Sequence, residues 1–266
     1  MATVTANKAK IARRVVEVLE FFDENHQEAT VMDLVRRYDR PQSSTSELLS
    51  SLVELGILYK DSTDRTYRPT PRAALLGTQT QCRAVRDGRL VGLMERLRAQ
   101  TGLPVALFGL VGVEVQVFAR VSAGRDGAHT TDEKLAGGQC EKLTNSVAGQ
   151  LLMAALSRPQ RAGIVRRLNA EAQGDFIPFG EMIDLIDRHE RYGRAFGPAG
   201  FGTRDELCVE LLPAYETDRP LAVGLLVESP EKVDRDALAG SLTSAIRQLF
   251  DGQHGRSNGT PFAAVA

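Results

Sequence analysis

"RPQSSTSELLSSLVELGILYK", Arg40 to Lys60, decides how the first part of this chain folds. Five small or polar residues, Gln42-Ser43-Ser44-Thr45-Ser46, lead into Leu48, Leu49, Leu52, Val53 and Leu55, which share one side of a helix. Pro41 pushes Arg40 out of helical space, so the helix begins after the break in "YDRP". Ser44 and Glu47 have the spacing of a capping box, in which a hydroxyl and a carboxylate satisfy the orphan amides of a first turn. The helical pattern stops at Gly56. A cap needs one or two polar residues, and this run is longer.

The flanks explain the excess. Upstream, Ile11, Val15, Val18, Leu19 and Phe22 recur on one face of an amphipathic helix, and Thr30 stands at the N-cap of a shorter run through Val31, Leu34, Val35 and Tyr38. Downstream, "ILYK" and "TYRP" are short β-type runs around the polar cluster Asp61 to Arg65. Three helices and a hairpin are the parts of a winged helix-turn-helix. In that fold the third helix offers its N-terminal turn to a DNA major groove, where hydroxyls and amides meet base edges and phosphates. The helix dipole and free N–H groups also favour phosphate there. The leucine side anchors the helix to its own core.

The remainder reads as α+β. Residues Arg72 to Thr101 form a mostly helical connector, interrupted near Gly88. "VALFGLV" and "VEVQVFARV" are adjacent strands around Gly112, and a loop runs from Ser122 to Gly138. Helices follow from Val147 to Leu156 and around Ile164 and Ile183; "ELCVELLP" and "PLAVGLLVE" are two further strands, and Asp234 to Phe250 is a closing helix. This order predicts an antiparallel sheet with helices. The expected division is a DNA-binding unit at 1–77, a helical linker at 78–102, a sheet domain at 103–250 and a flexible tail at 251–266.

Bulk composition narrows the class without naming a partner. At 266 residues two domains are expected, with 42% hydrophobic and 25% charged residues. The longest apolar run, Leu103 to Val113, is too short for a bilayer, and no secretory signal pattern opens the chain, so a cytoplasmic protein without membrane contact is expected. Cys82, Cys140 and Cys208 are far apart and lack zinc-site spacing; they read as buried free thiols, and neither a metal nor a cofactor is expected. His26, His129, His189 and His254 are isolated, and no nucleophile elbow occurs, which disfavours an enzyme. "GPAGFG", Gly197 to Gly202, imitates a phosphate loop but precedes a strand, and Asp175, Glu181, Asp184 and Asp187 read as solvated helix charges. Phe118, Phe176, Phe179 and Tyr192 read as core. Net charge is −1, and residues 1–77 hold eleven Lys/Arg against eleven Asp/Glu. Nucleic-acid binding must therefore come from local arrangement. A winged helix used as a protein–protein module is the alternative.

"TVMDLVRRYDRPQSSTSELLSSLVELGILYK" followed by "TYRPTPRAALLG" resembles the DNA-binding domain of the IclR family of bacterial transcriptional regulators. Pro41, Ser43, Ser44, Leu48, Leu49, Leu52, Leu55 and Gly56 fall on its spacing, as do Tyr67, Arg68, Pro71, Arg72, Leu76 and Gly77. "LTNSVAGQLLMAAL", "ELCVELLP" and "PLAVGLLVESP" resemble the family's GAF-like effector domain more loosely. The resemblance implies a regulator, expected to repress, that binds operator DNA through Arg36, Arg40, Gln42, Ser43, Ser44, Thr45, Ser46, Glu47, Arg65 and Arg68, with Arg37 and Arg72 adding to the positive side. It implies a small organic effector at Val147, Ala148, Cys208, Leu226 and Glu228; Phe108 borders that site on its strand. Two departures stand out. Glu47 replaces a common Arg, and Leu226 and Glu228 stand where relatives that bind small oxoacids carry hydroxylated residues. The expected ligand is thus apolar or aromatic, and neutral or cationic. One winged helix buries too little to select among genomic sites, so a homodimer or a dimer of dimers is expected.

Overall fold

The computed structural model describes residues 2–23, 26–122, 135–172, 177–214, 217, 219–228 and 230–250. Phe176, Asp175, His129, His254, most of the loop after Ser122 and the tail at 251–266 lie outside the described residues. The chain divides into two compact units, Met1–Gln81 and Cys82–Ala266.

In the first unit, α1 (Ala2–Glu20), α2 (Val31–Tyr38) and α3 (Gln42–Glu54) are followed by β1 (Leu58–Lys60), β2 (Tyr67–Pro69) and α4 (Pro71–Leu75). Their core is Val18, Phe21, Leu34, Leu49, Leu52, Leu58 and Tyr67. Each such buried side chain contributes about 1.5–3 kcal/mol relative to exposure. Ile11, expected on the apolar face of α1, is 52% exposed; the buried stripe begins with Val15 and Val18. Thr30 caps α2 as expected, in a full capping box with Asp33. Two hydrogen bonds to Thr30, the backbone one first, hold the Asp33 carboxyl below its ordinary pKa.

The start of α3 differs from the expected capping box. Pro41 is the N-cap, extended at φ −60° and ψ 135°, with no side-chain cap. The helix therefore opens at Gln42, and Ser44 already lies in its first turn, where its Oγ donates to the Pro41 carbonyl at 3.2 Å. A proline whose fixed φ suits the helix entry moves the start three residues upstream. The far end is closed by Gly56 at φ +69°. Its N–H donates to Val53 O at 2.9 Å and Ile57 N–H to Leu52 O at 2.8 Å, a Schellman closure that requires a left-handed residue.

β1 and β2 pair antiparallel, Leu58 opposite Pro69 and Lys60 opposite Tyr67. Ala29 and Tyr67 exchange two backbone hydrogen bonds of 2.9 and 2.8 Å, so the hairpin is tied to the entry of α2.

The second unit comprises α5 (Arg83–Arg86), α6 (Arg89–Thr101), β3 (Val105–Val111), β4 (Glu114–Val121), β5 (Cys140–Lys142), α7 (Val147–Ala154), α8 (Arg158–Glu171), α9 (Phe179–Tyr192), β6 (Arg194–Pro198), β7 (Glu206–Leu211), β8 (Leu221–Val227) and α10 (Arg235–Phe250). The strands form one antiparallel sheet in the order β5-β4-β3-β8-β7-β6. The sequence reading found β3, β4, β7 and β8 but not β5 and β6, which are short edge strands. Helices cover both faces. Val105, Leu107, Cys208, Val223, Leu225 and Val227 pack with α6 and α10, whereas Ala106, Phe108, Leu207, Val209, Ala222 and Leu226 pack with α7, α8 and α9. Alternation along each strand assigns the side chains to the two cores. Of the segment 78–102, expected as a linker, α6 buries Leu90, Leu93, Met94 and Leu97 in the second of these units.

Candidate nucleic-acid interface and effector face

Around α3, Thr45, Leu49 and Leu52 are buried at spacings of four and three residues, which fixes the inner face of the helix. Gln42, Ser43, Glu47 and Ser50 are exposed, and Ser44 and Ser46 are half-buried at the flanks. Thr45 was expected in the outward set. It is 3% exposed, and its Oγ1 donates to the Pro41 carbonyl at 3.0 Å. Its hydroxyl is satisfied inside the helix entry, so its methyl can pack on the core. The polar turn is therefore presented outward by its remaining residues.

The candidate phosphate-binding cations of this unit come from four elements. Arg14 of α1 donates through Nη2 to Ser44 Oγ at 3.2 Å. Arg40 precedes α3 and places Nη2 3.1 Å from Oε1 and 3.2 Å from Oε2 of Glu17. Arg36 is exposed on α2, and Arg37 lies 5.7 Å over the Tyr38 ring. On the wing, Arg68 pairs with Glu28 at 3.0 Å, and Arg65 is exposed at φ +56° in the turn. Asp61 shapes that turn by accepting from Thr63 N–H at 2.8 Å and Asp64 N–H at 3.3 Å. Those two amides lower its pKa. Arg40 and Arg68 are thus held by carboxylates, and Arg36 and Arg65 form no ion pair with described residues. Exposed pairs of this kind are worth about 0–1 kcal/mol, so a phosphate can replace either carboxylate at small cost.

In the second unit the expected effector residues divide between two faces. Val147 and Ala148 are the first two residues of α7 and are buried; the capping Ser146 Oγ accepts from Ala148 N–H at 3.2 Å. Phe108 and Leu226 reach the same core. Glu228 is exposed just past the end of β8. Cys208 does not join them. It lies on the opposite face, packed with α6 and α10, because it sits one residue out of phase with Leu207 and Val209. Burial first, then the charge of Glu210, pushes its thiol up to about 11, far from a reactive thiolate. Cys82 is half-buried and Cys140 is exposed on the edge strand β5, so only Cys208 fits the expected buried thiol.

Two residues outside the expected set shape the α7 end of the sheet. Phe201, at φ +53° between Gly200 and Gly202, places its ring 6.2 Å from that of Phe108. Glu141 holds this loop: its Oε2 accepts from Phe201 N–H at 3.0 Å, and its Oε1 accepts from Asn145 Nδ2 at 3.1 Å. Further along, Arg161 of α8 is 2% exposed and meets Asp187 at 3.2 Å and Glu190 at 2.8 Å on α9. Asp187, expected as a solvated charge, is thereby an inter-helix clamp. Among the described residues no three His, Cys, Asp or Glu side chains could hold a metal ion, and no helix is long and apolar enough to cross a membrane.

Residues 12–62 match the IclR helix-turn-helix domain. The chain carries an IclR-family helix-turn-helix. Solved structures of the same fold extend over both units. An IclR homologue from Microbacterium hydrocarbonoxydans, solved in complex with 4-hydroxybenzoate, aligns with 18% identity and a TM-score of 0.54, over 90% of this chain and 97% of its own. An IclR transcriptional regulator from Alicyclobacillus acidocaldarius aligns with 16% identity and a TM-score of 0.54, covering 91% and 94%. An IclR-family transcriptional regulator from Brucella abortus aligns with 17% identity and a TM-score of 0.51, covering 91% and 92%. No curated protein matches the sequence significantly.

The IclR helix-turn-helix is the DNA-binding domain of a transcriptional regulator. The sequence reading singled out the polar first turn of α3 and several arginines but not Arg14, because no local pattern on α1 announces a partner thirty residues away. Glu141 and Phe201 were missed for the same reason. The glycines in "GPAGFG" were the available signal for Phe201: they mark a backbone that turns through left-handed space, which the phosphate-loop comparison misread.

Proposed function

We propose that this IclR-family chain represses transcription by inserting α3 into operator DNA, and that a small apolar or aromatic ligand in the second unit changes operator affinity. The observation that carries the DNA part is the polar first turn of α3, with Gln42 and Ser43 exposed and Ser44 bonded to Arg14, on a unit that also carries Arg36, Arg40, Arg65 and Arg68 on α2, the turn before α3 and the wing. Hydroxyls and an amide read base edges while the guanidinium groups take phosphates. Twofold pairing of subunits, as a dimer or a dimer of dimers, supplies the second half-site that selectivity needs.

For the ligand, the supporting residues are Phe108, Phe201, Val147, Ala148 and Leu226 on one core. Leu226 offers no hydrogen bond to a carboxylate, and Glu228 at the end of β8 repels one. These side chains favour a neutral or cationic aromatic molecule. The Microbacterium hydrocarbonoxydans homologue was solved with 4-hydroxybenzoate, whose ring supports an aromatic core for the ligand, while its carboxylate is the group that Leu226 and Glu228 disfavour here. The ligand acts only if it binds the DNA-competent and DNA-incompetent states unequally.

Fluorescence polarisation with fragments of DNA from around the chain's own gene tests both parts. Saturable binding to one fragment that weakens steeply with salt is expected; a flat salt response overturns the DNA reading. Adding neutral or cationic aromatic compounds is expected to shift that affinity, and equal affinity across the panel overturns the coupling. Tight calorimetric binding of glyoxylate or pyruvate overturns the ligand class.

A further inference from the structure

The outermost ridge of α3 carries a carboxylate at its centre. Taking about 100° per residue, Glu47 lies ~200° around the helix from Thr45, opposite the buried face of Thr45, Leu49 and Leu52. Ser43 and Ser50 stand one turn away on either side, and all three are exposed. The whole of α3, QSSTSELLSSLVE, contains no lysine or arginine. The arginines around it, Arg14, Arg36 and Arg40, stand on α1, α2 and the turn before α3. No described side chain forms an ion pair with Glu47, and its backbone carbonyl accepts from Ser51 Oγ at 3.1 Å, a bond that leaves the carboxylate unused.

This division has a consequence for base readout. An ionised carboxylate only accepts hydrogen bonds. In the major groove guanine presents N7 and O6 acceptors and thymine an O4 acceptor and a methyl group, so neither can satisfy it. Cytosine N4 and adenine N6 are the donors available, and cytosine offers its donor with no N7 acceptor beside it to oppose the second carboxylate oxygen. A carboxylate buried in a groove without a donor loses its hydration and gains nothing. Surrounding phosphates add repulsion, so Glu47 lowers binding wherever the base is wrong.

We infer that Glu47 is a specificity-determining residue that selects cytosine at one position of each operator half-site and rejects guanine and thymine there. The inference rests on the DNA-binding reading above. Discrimination comes largely from the penalty at wrong bases, which is how a carboxylate can serve on a helix that approaches a polyanion.

The full-length chain, its Glu47→Ala variant and its Glu47→Gln variant are each used to select from a randomised duplex pool at one fixed salt concentration. The wild type is expected to enrich a motif with cytosine at one position per half-site. Glu47→Ala is expected to lose that preference by about tenfold at that position alone, with the rest of the motif intact and overall affinity higher. Glu47→Gln, whose amide pairs with adenine N6 and N7, is expected to move the preference to adenine. Because Glu47 is exposed and unpaired, both variants should keep the wild-type circular dichroism and melting temperature. An unchanged motif for Glu47→Ala, or a wild-type motif with guanine or thymine at every position that changes, overturns the inference and leaves the DNA-binding reading in place. A pool from which the wild type enriches nothing overturns that reading itself.

Discussion

Arg14 on α1 donates from Nη2 to Ser44 Oγ on α3 across 3.2 Å, thirty residues away in sequence. The contact joins a cation on the first helix to the first turn of the third, where unpaired amides already favour an anion. The Ser44 hydroxyl donates a hydrogen bond to the Pro41 carbonyl, so its oxygen is oriented to accept from Arg14.

Replacing Arg14 is therefore expected to remove one phosphate contact and leave base preference unchanged. Arg14→Ala should weaken binding about equally on all sequences and reduce the slope of log affinity against log salt by about 1. Arg14→Lys should recover most of the slope. Salt titrations of the three proteins on one duplex check this, and an unchanged slope for Arg14→Ala would remove Arg14 from the interface.

Gly149 predicts a packing effect at the α7 end of the sheet. A Cβ on this residue would lie 2.4 Å from Leu143 O and 2.7 Å from Leu143 Cα, so backbone must move to admit it. Gly149→Ala is expected to destabilise the second unit by about 1–3 kcal/mol. Gly163, on the exposed side of α8, has open space around it. Gly163→Ala should instead stabilise by about 0.4–1 kcal/mol through the unfolded chain. Urea melts of the pair separate a steric cause from a general intolerance of alanine.

His189 supplies a pH dependence. It is half-buried on α9, with Nε2 3.4 Å from Gln150 Oε1. Burial first, then the Arg188 charge, lowers its pKa below the ordinary 6.5. The unfolded chain then takes up a proton before the folded chain does, so folding stability falls as pH drops through 6.5 and levels off below the lowered folded value. Denaturant midpoints compared at about pH 7.5 and about pH 5.5 should show that loss. His189→Gln should show less of it, and an identical loss would place the titrating group elsewhere.

The sequence by itself determined those features that close within a turn or a hairpin. Thr30 and Asp33 satisfy one helix start between them, Gly56 takes the left-handed backbone that ends α3, and strand alternation divides the two faces of the sheet. Even the outward polarity of the first turn of α3 follows from the spacing of Leu49 and Leu52 behind it. Within that local frame Pro41 still shifted the helix start, because a fixed φ competes with a side-chain cap and prevails.

Tertiary structure decided which charged and polar groups meet. Glu17 holds Arg40, Glu28 holds Arg68 and Glu141 holds the amide of Phe201, across separations of 23, 40 and 60 residues. Thr45 turns inward and Cys208 falls on the face away from Phe108 for a related reason. Local periodicity fixes the angle at which a side chain leaves its helix or strand, but only the packing of that element against others fixes what it encounters. Long polar side chains gain little free energy from any one surface partner, so no short-range pattern records their choice.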